Sequence, residues 1–138
     1  MKRFLLDTNV LSETRKSRPH GPVIAWLNSL VREQVFFPSV VFWELQVGIE
    51  LTPKLDPDKA QEIEAWVDDV VLTQQIVPME AVSFRECARL MLGKPQDLLE
   101  DAMIAATARV YAMTVATRNE RDFALFDVPV LNPFRLSS

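Results

Sequence analysis

What most constrains this chain is the alternation of very short apolar runs with longer stretches of helical spacing. Phe4-Leu5-Leu6, Val35-Phe36-Phe37, Thr114-Val115-Ala116 and the segment from Val128 to Leu131 are the apolar runs. The first stops at Asp7-Thr8-Asn9, the second at Pro38 and the third at Thr117. Brief, uninterrupted runs of this kind read as buried strands. Between them, Val23, Leu27, Leu30 and Val31 follow the breaker cluster Pro19 to Pro22 at helical intervals. Ser39 is placed to cap a helix reaching about Glu50, and Pro53 and Pro57 bracket a loop. Ile63, Trp66, Val67, Val70 and Val71 form one helical stripe, and Ala81, Phe84, Ala88 and Met91 another. After the break at Gly93-Lys94-Pro95, a helix rich in small residues runs from about Leu98 to Tyr111. Strands separated by helices pair in parallel, because a parallel crossover needs a dozen residues or more. The expected architecture is therefore an α/β sandwich around a central, mostly parallel sheet.

The chain has 138 residues, no internal repeat and no visible boundary, so one domain spanning residues 1–138 is expected. One cysteine cannot form an internal disulfide, and no apolar run approaches the ~20 residues of a membrane span. The apolar part of Met1 to Leu6 is too short for a signal peptide. A soluble, cytoplasmic protein with no membrane partner is expected. The formal net charge of −4 at first argues against binding nucleic acid by bulk charge.

Most acids read as solvated, including the seven between Glu50 and Asp69. Three do not. Asp7 lies at the carboxyl end of the first strand, where open parallel sheets place their sites. Glu44 has Val40, Val41, Val47 and Gly48 as its helical neighbours, so it points along an apolar face. Asp101 shares a stripe with Ile104, Ala105 and Ala108. No Lys or Arg stands at the spacing that would neutralise Glu44 or Asp101 locally. Taken singly, Asp7 is a good N-cap and Asp101 suits a helix dipole. Taken together, inward carboxylates repel unless protons or cations compensate, and oxygen-only ligands suit Mg²⁺ or Mn²⁺. A fourth group should come from the end of the third strand, where Asn119 and Asp122 are the candidates and Thr117 offers a supporting hydroxyl.

Four segments carry a family resemblance: Leu5 to Glu13, Pro38 to Gly48, Glu100 to Ala108 and Val115 to Phe123, with Val130 to Phe134 closing the chain. In this order they resemble PIN-domain ribonucleases, specifically the VapC or FitB-type toxins of type II toxin–antitoxin modules. The resemblance implies a three-layer α/β/α sandwich and an Mg²⁺- or Mn²⁺-dependent endoribonuclease. It also implies a VapB-like antitoxin partner, an RNA substrate, a homodimer, and contact with DNA only through the antitoxin. The family's acidic quartet maps onto Asp7, Glu44 and Asp101. At the fourth place this chain has the amide Asn119 where many relatives have an acid, so Asp122 is the alternative source of charge.

Backbone phosphates need cations. Arg15, Lys16 and Arg18 follow the first motif, and Arg118 and Arg121 flank the fourth, as candidate RNA contacts. The lone His20, between Pro19 and Gly21, reads as a solvated bystander, and Cys87 as a structural thiol without a histidine partner. A non-catalytic interaction domain that lost its metal through Asn119 is the competing expectation. A phosphotransfer enzyme with an Asp7 nucleophile fits less well, because Asn9 stands where a second acid is wanted. Removing the pocket acids and the Glu50 to Asp69 segment from the charge count leaves a modestly basic remainder, which removes the objection to RNA.

Overall fold

The computed structural model describes residues 1–54 and 56–136. The strands are β1 (Phe4–Leu6), β2 (Val35–Pro38), β3 (Ile76–Val77), β4 (Thr114–Ala116) and β5 (Val130–Leu131). They form one sheet in the order β3-β2-β1-β4-β5, and every pairing is parallel. Leu5 is in register with Phe36 on one side and Val115 on the other. The helices are α1 (Thr8–Leu11), α2 (Gly21–Asn28), α3 (Val40–Leu51), α4 (Pro57–Thr73), α5 (Ala81–Met91), α6 (Leu99–Tyr111) and α7 (Glu120–Phe123).

The strand order decides the layering. The chain steps outward from β1 to β2 to β3, then returns across β1 to β4 and β5. Right-handed crossovers put the helices of the outward leg on one face and those of the return leg on the other. The packing of α3 on α4, and of α5 on α6, follows that division. The direction reverses between β1 and β4, which opens a crevice at their carboxyl ends. Asp7 follows β1 directly and Thr117 follows β4 directly, so both stand at that reversal.

The core is continuous across the sheet. Leu5, Val115, Ala116, Val41, Ala102, Ile104, Ala105 and Ala106 are fully buried. α5 packs against α6, whose alanines are buried, and is rotated from the expected stripe. The sequence stripe put Phe84 and Ala88 inward, but Phe84 is 51% exposed and the buried face carries the smaller Ser83 and Cys87.

Other departures are local. Val31 and Val71 are exposed, at 47% and 48%, and α2 ends before Val31. Pro57 opens α4 instead of lying in a loop, because proline needs no N–H at the first helical position. β3 escaped the sequence reading; a two-residue strand makes no periodic signal. His20 is not a solvated bystander. It is half-buried, its ring centroid 5.3 Å from that of Phe134, because the C-terminal turn folds back over it.

Ile104→Ala should destabilise the fold by about 3 kcal/mol through lost burial and a residual cavity. Leu92→Ala, at a position 85% exposed, should change stability by less than about 0.5 kcal/mol. Urea unfolding followed by circular dichroism checks both.

Candidate active site

Asp7 is the centre of the site and is only 5% exposed. It caps α1: its Oδ1 accepts from the Thr8 backbone N–H at 2.7 Å. Its Oδ2 accepts from the Thr117 hydroxyl at 2.8 Å and the Asn9 side-chain amide at 3.2 Å. The cap and site readings of Asp7 are therefore both realised by one side chain. Thr117 is fully buried, and its hydroxyl oxygen also accepts from the Asn119 backbone N–H at 2.9 Å. Asn9 accepts from the Arg118 backbone N–H at 3.1 Å, which pins the loop after β4 to the turn after β1.

Glu44 and Asp101 project toward the same place from α3 and α6. Each is half-buried. Burial pushes the Asp101 carboxyl up to about 7, and the charges of Asp7, Asp122 and Glu100 add to the rise. Glu44 is raised too, first by burial, then by a shared hydrogen bond and charge repulsion with Glu100, then by Asp7. Burial also raises Asp7, against the lowering effect of its hydrogen-bond donors, Thr117 first. Among the described residues, no Lys or Arg forms an ion pair with Asp7, Glu44, Glu100, Asp101 or Asp122.

Asn119 has an unexpected position. It precedes α7 but does not cap it with its side chain. Its amide nitrogen donates instead to Asp122 Oδ2 at 2.9 Å and to Asp101 Oδ2 at 3.3 Å. An acid there would repel both neighbours; the amide holds them together. The two candidates for the fourth position are thus neighbours rather than exclusive alternatives.

Glu100 is the residue that sequence reasoning left out of the set. It sits in the first turn of α6, where an acid is favoured by the helix dipole and so attracts no notice. Its one-residue offset from Asp101 also removed it from the inward stripe. Only the approach of α3 shows that it faces Glu44.

Among the described residues, no three His, Cys, Asp or Glu side chains are gathered tightly enough to clasp one ion between them. The donor set still fits Mg²⁺ or Mn²⁺. It is all oxygen, and such ions keep several waters while using one or two carboxylates. The Thr8 hydroxyl beside Glu44 is buried without a well-aligned partner, an unspent polar atom at the same place.

Of the candidate RNA contacts, Arg18 and Arg121 are exposed. Lys16 is ion-paired to the buried Glu13, whose second oxygen accepts from the His20 backbone N–H at 2.8 Å. Arg118 lies 3.9 Å from the Phe134 ring centroid and is committed to that stack. Arg15 leans toward the Trp66 ring at 6.0 Å.

A family model described as "PIN domain" matches residues 4–129. The chain belongs to the PIN domain family. It is 32% identical to Toxin FitB of Neisseria gonorrhoeae over 138 residues, covering 95% of this chain and 98% of that protein. It is 29% identical to VapC ribonuclease Y4jK of Sinorhizobium fredii, covering 95% and 97%. The solved structure of FitAB bound to an IR36 DNA fragment superposes with a TM-score of 0.82 at 33% identity, covering 98% of each chain. The PIN fold is thus this chain's architecture. Among the described residues, no helix is long and apolar enough to cross a membrane.

The raised carboxyls have a consequence for stability. Folded Glu44 and Asp101 hold protons that the unfolded chain releases near pH 4, and burial shifts Asp7 in the same direction. Between about pH 4 and pH 8 the folded state binds more protons, so stability falls as pH rises through that window. Without divalent metal, the thermal midpoint should be higher at pH 5 than at pH 8. Asp101→Asn should flatten the slope, and Mg²⁺ should raise the midpoint at pH 8. Calorimetric scans across pH, with and without Mg²⁺, check this.

Proposed function

We propose that this chain is a divalent-metal-dependent endoribonuclease, the toxin of a toxin–antitoxin pair. The observation that carries the reading is the convergence of Asp7, Glu44, Glu100, Asp101 and Asp122 at the strand-order reversal with no ion-paired cation among the described residues. When bound, Mg²⁺ or Mn²⁺ supplies Lewis acidity for the scissile phosphate and a more acidic water. Asp7 and Asp101 would hold the ion, with Glu44 and Asp122 beside them. Asp7 is kept in one orientation by its three donors, so its geometry is set before substrate arrives. Asn119 keeps Asp101 and Asp122 on one side of the site. In its ionised form, which a neighbouring bound cation would favour, the Glu44 carboxylate can take the proton from the attacking water.

The relatives named toxin and VapC ribonuclease support this reading, as does the FitAB complex on DNA. An antitoxin partner follows, with DNA reached through that partner. A homodimer is the expected assembly. Trp43, 57% exposed, and Phe84 flank an apolar groove of about 270 Å³ with Met79 and Met103, a surface a second copy would cover. Trp43→Glu should shift the sedimentation profile to monomer without unfolding the chain; a persistent dimer would refute this use of the groove.

The second reading is a PIN-fold interaction domain without catalysis, favoured by the amide at Asn119. Cleavage assays decide between them. Asp7→Asn and Asp101→Asn should each lower Mn²⁺-dependent RNA cleavage at least about a hundredfold while the fold persists. Calorimetric Mn²⁺ binding should weaken in parallel. Fully active Asp7→Asn protein, or wild-type protein that binds no Mn²⁺, would remove the nuclease reading. Asp122→Ala should cost more activity than Asn119→Ala if Asp122 supplies the fourth charge; the reverse order would give that role to Asn119.

A further inference from the structure

Arg15 belongs to two cavities at once. One, about 200 Å³, is lined by Arg15 with Glu44, Leu45, Gly48, Ile49, Thr52 and Ile63, and so borders the acidic site. The other, about 470 Å³, is lined by Arg15, Lys16, Ser17, Arg18, Lys59 and Glu62. The second cavity brings cations from two distant parts of the sequence together. Arg15 ends the short turn Ser12–Arg15 after α1, Arg18 lies in the loop that follows, and Lys59 is in the first turn of α4. No motif links Lys59 to the site.

The charges there are unequally committed. Lys16 is bound to Glu13, and Glu62 lies one helical turn from Lys59 on the same wall. Among the described residues, Arg15, Arg18 and Lys59 make no ion pair with an acid. The Arg15 Nε is buried without a hydrogen-bond partner while its guanidinium is held near the Trp66 ring. Arg15 as a whole is half-buried, and a guanidinium without an acidic partner is suited to a phosphate oxygen through its terminal nitrogens.

We propose that this cleft binds backbone phosphates of the RNA strand next to the scissile position. The strand then runs from the carboxylates over Arg15 to Arg18 and Lys59, along the α4 side. This rests on the ribonuclease reading and gives the substrate a direction across it. Arg15 sets this route, because it lines both the cavity that holds Glu44 and the one that holds Lys59. A polyanion is favoured over an acidic peptide because Arg15 connects the cleft to the carboxylates that would hold a divalent ion for a phosphate.

The test measures binding, not turnover. Protein carrying Asp101→Asn, chosen to suppress cleavage, is titrated with a short single-stranded RNA over a range of salt by fluorescence anisotropy. Adding Arg18→Ala and Lys59→Ala should weaken binding roughly tenfold. The plot of log affinity against log salt should become shallower by about 1.4, at about 0.7 for each phosphate no longer neutralised. Arg85→Ala, an exposed cation on α5, should leave the slope unchanged. An unchanged slope in the double variant, an equal effect from Arg85→Ala, or no RNA binding by either protein overturns the proposal. So does a loss of affinity for a polyglutamate peptide with RNA binding intact, which would make the cleft a protein-docking surface. Wild-type cleavage of the same RNA with Mn²⁺, measured separately, reports on the ribonuclease reading itself.

Discussion

Everything around this site depends on how Asp7 is held. One carboxylate ends β1, caps α1 and receives the Thr117 hydroxyl from the far side of the strand-order reversal. Burial raises its energy as an anion, and three donors return part of that cost. Because the donors come from Thr8, Asn9 and Thr117, the turn after β1 and the loop after β4 cannot move independently. Asn9 reinforces the link by accepting from the Arg118 backbone. The other acids are arranged around a group that is already immobile.

Among the described residues those acids face one another without an ion-paired base, and the fold tolerates them through raised carboxyl pKa values and amide donors. Asn119 is the clearest case. An amide in place of an acid reduces the number of like charges and donates to two of those that remain. The substitution that casts doubt on catalysis when read as a letter is, in three dimensions, a clamp on Asp101 and Asp122.

The wider surface divides by the same logic of commitment. Some cations that look available in the sequence are already engaged: Lys16 with Glu13, and Arg109 with the Phe126 and Asp127 carbonyls. Net charge therefore says little about which face meets a polyanion. The arrangement of cations without acidic partners says more, as where Arg15, Arg18 and Lys59 line one cleft.

How much was legible in the sequence varies with the range of the cause. Short apolar runs separated by helical segments sufficed for a parallel α/β sandwich, because burial and crossover length act locally. Glu44 and Asp101 stood out because a carboxylate on an apolar stripe is costly wherever the helix goes, and Asp7 because it ends a buried strand. β3, the inward face of α5 and the packing of His20 on Phe134 were not, since each depends on which neighbour arrives. Glu100 joins the site only because α3 brings Glu44 to it, and Lys59 meets Arg15 only because α4 lies against the turn after α1. The chain by itself determined which residues could not be left unpaired. Tertiary packing decided their partners, because partnership is a matter of distance across elements that sequence separation does not encode.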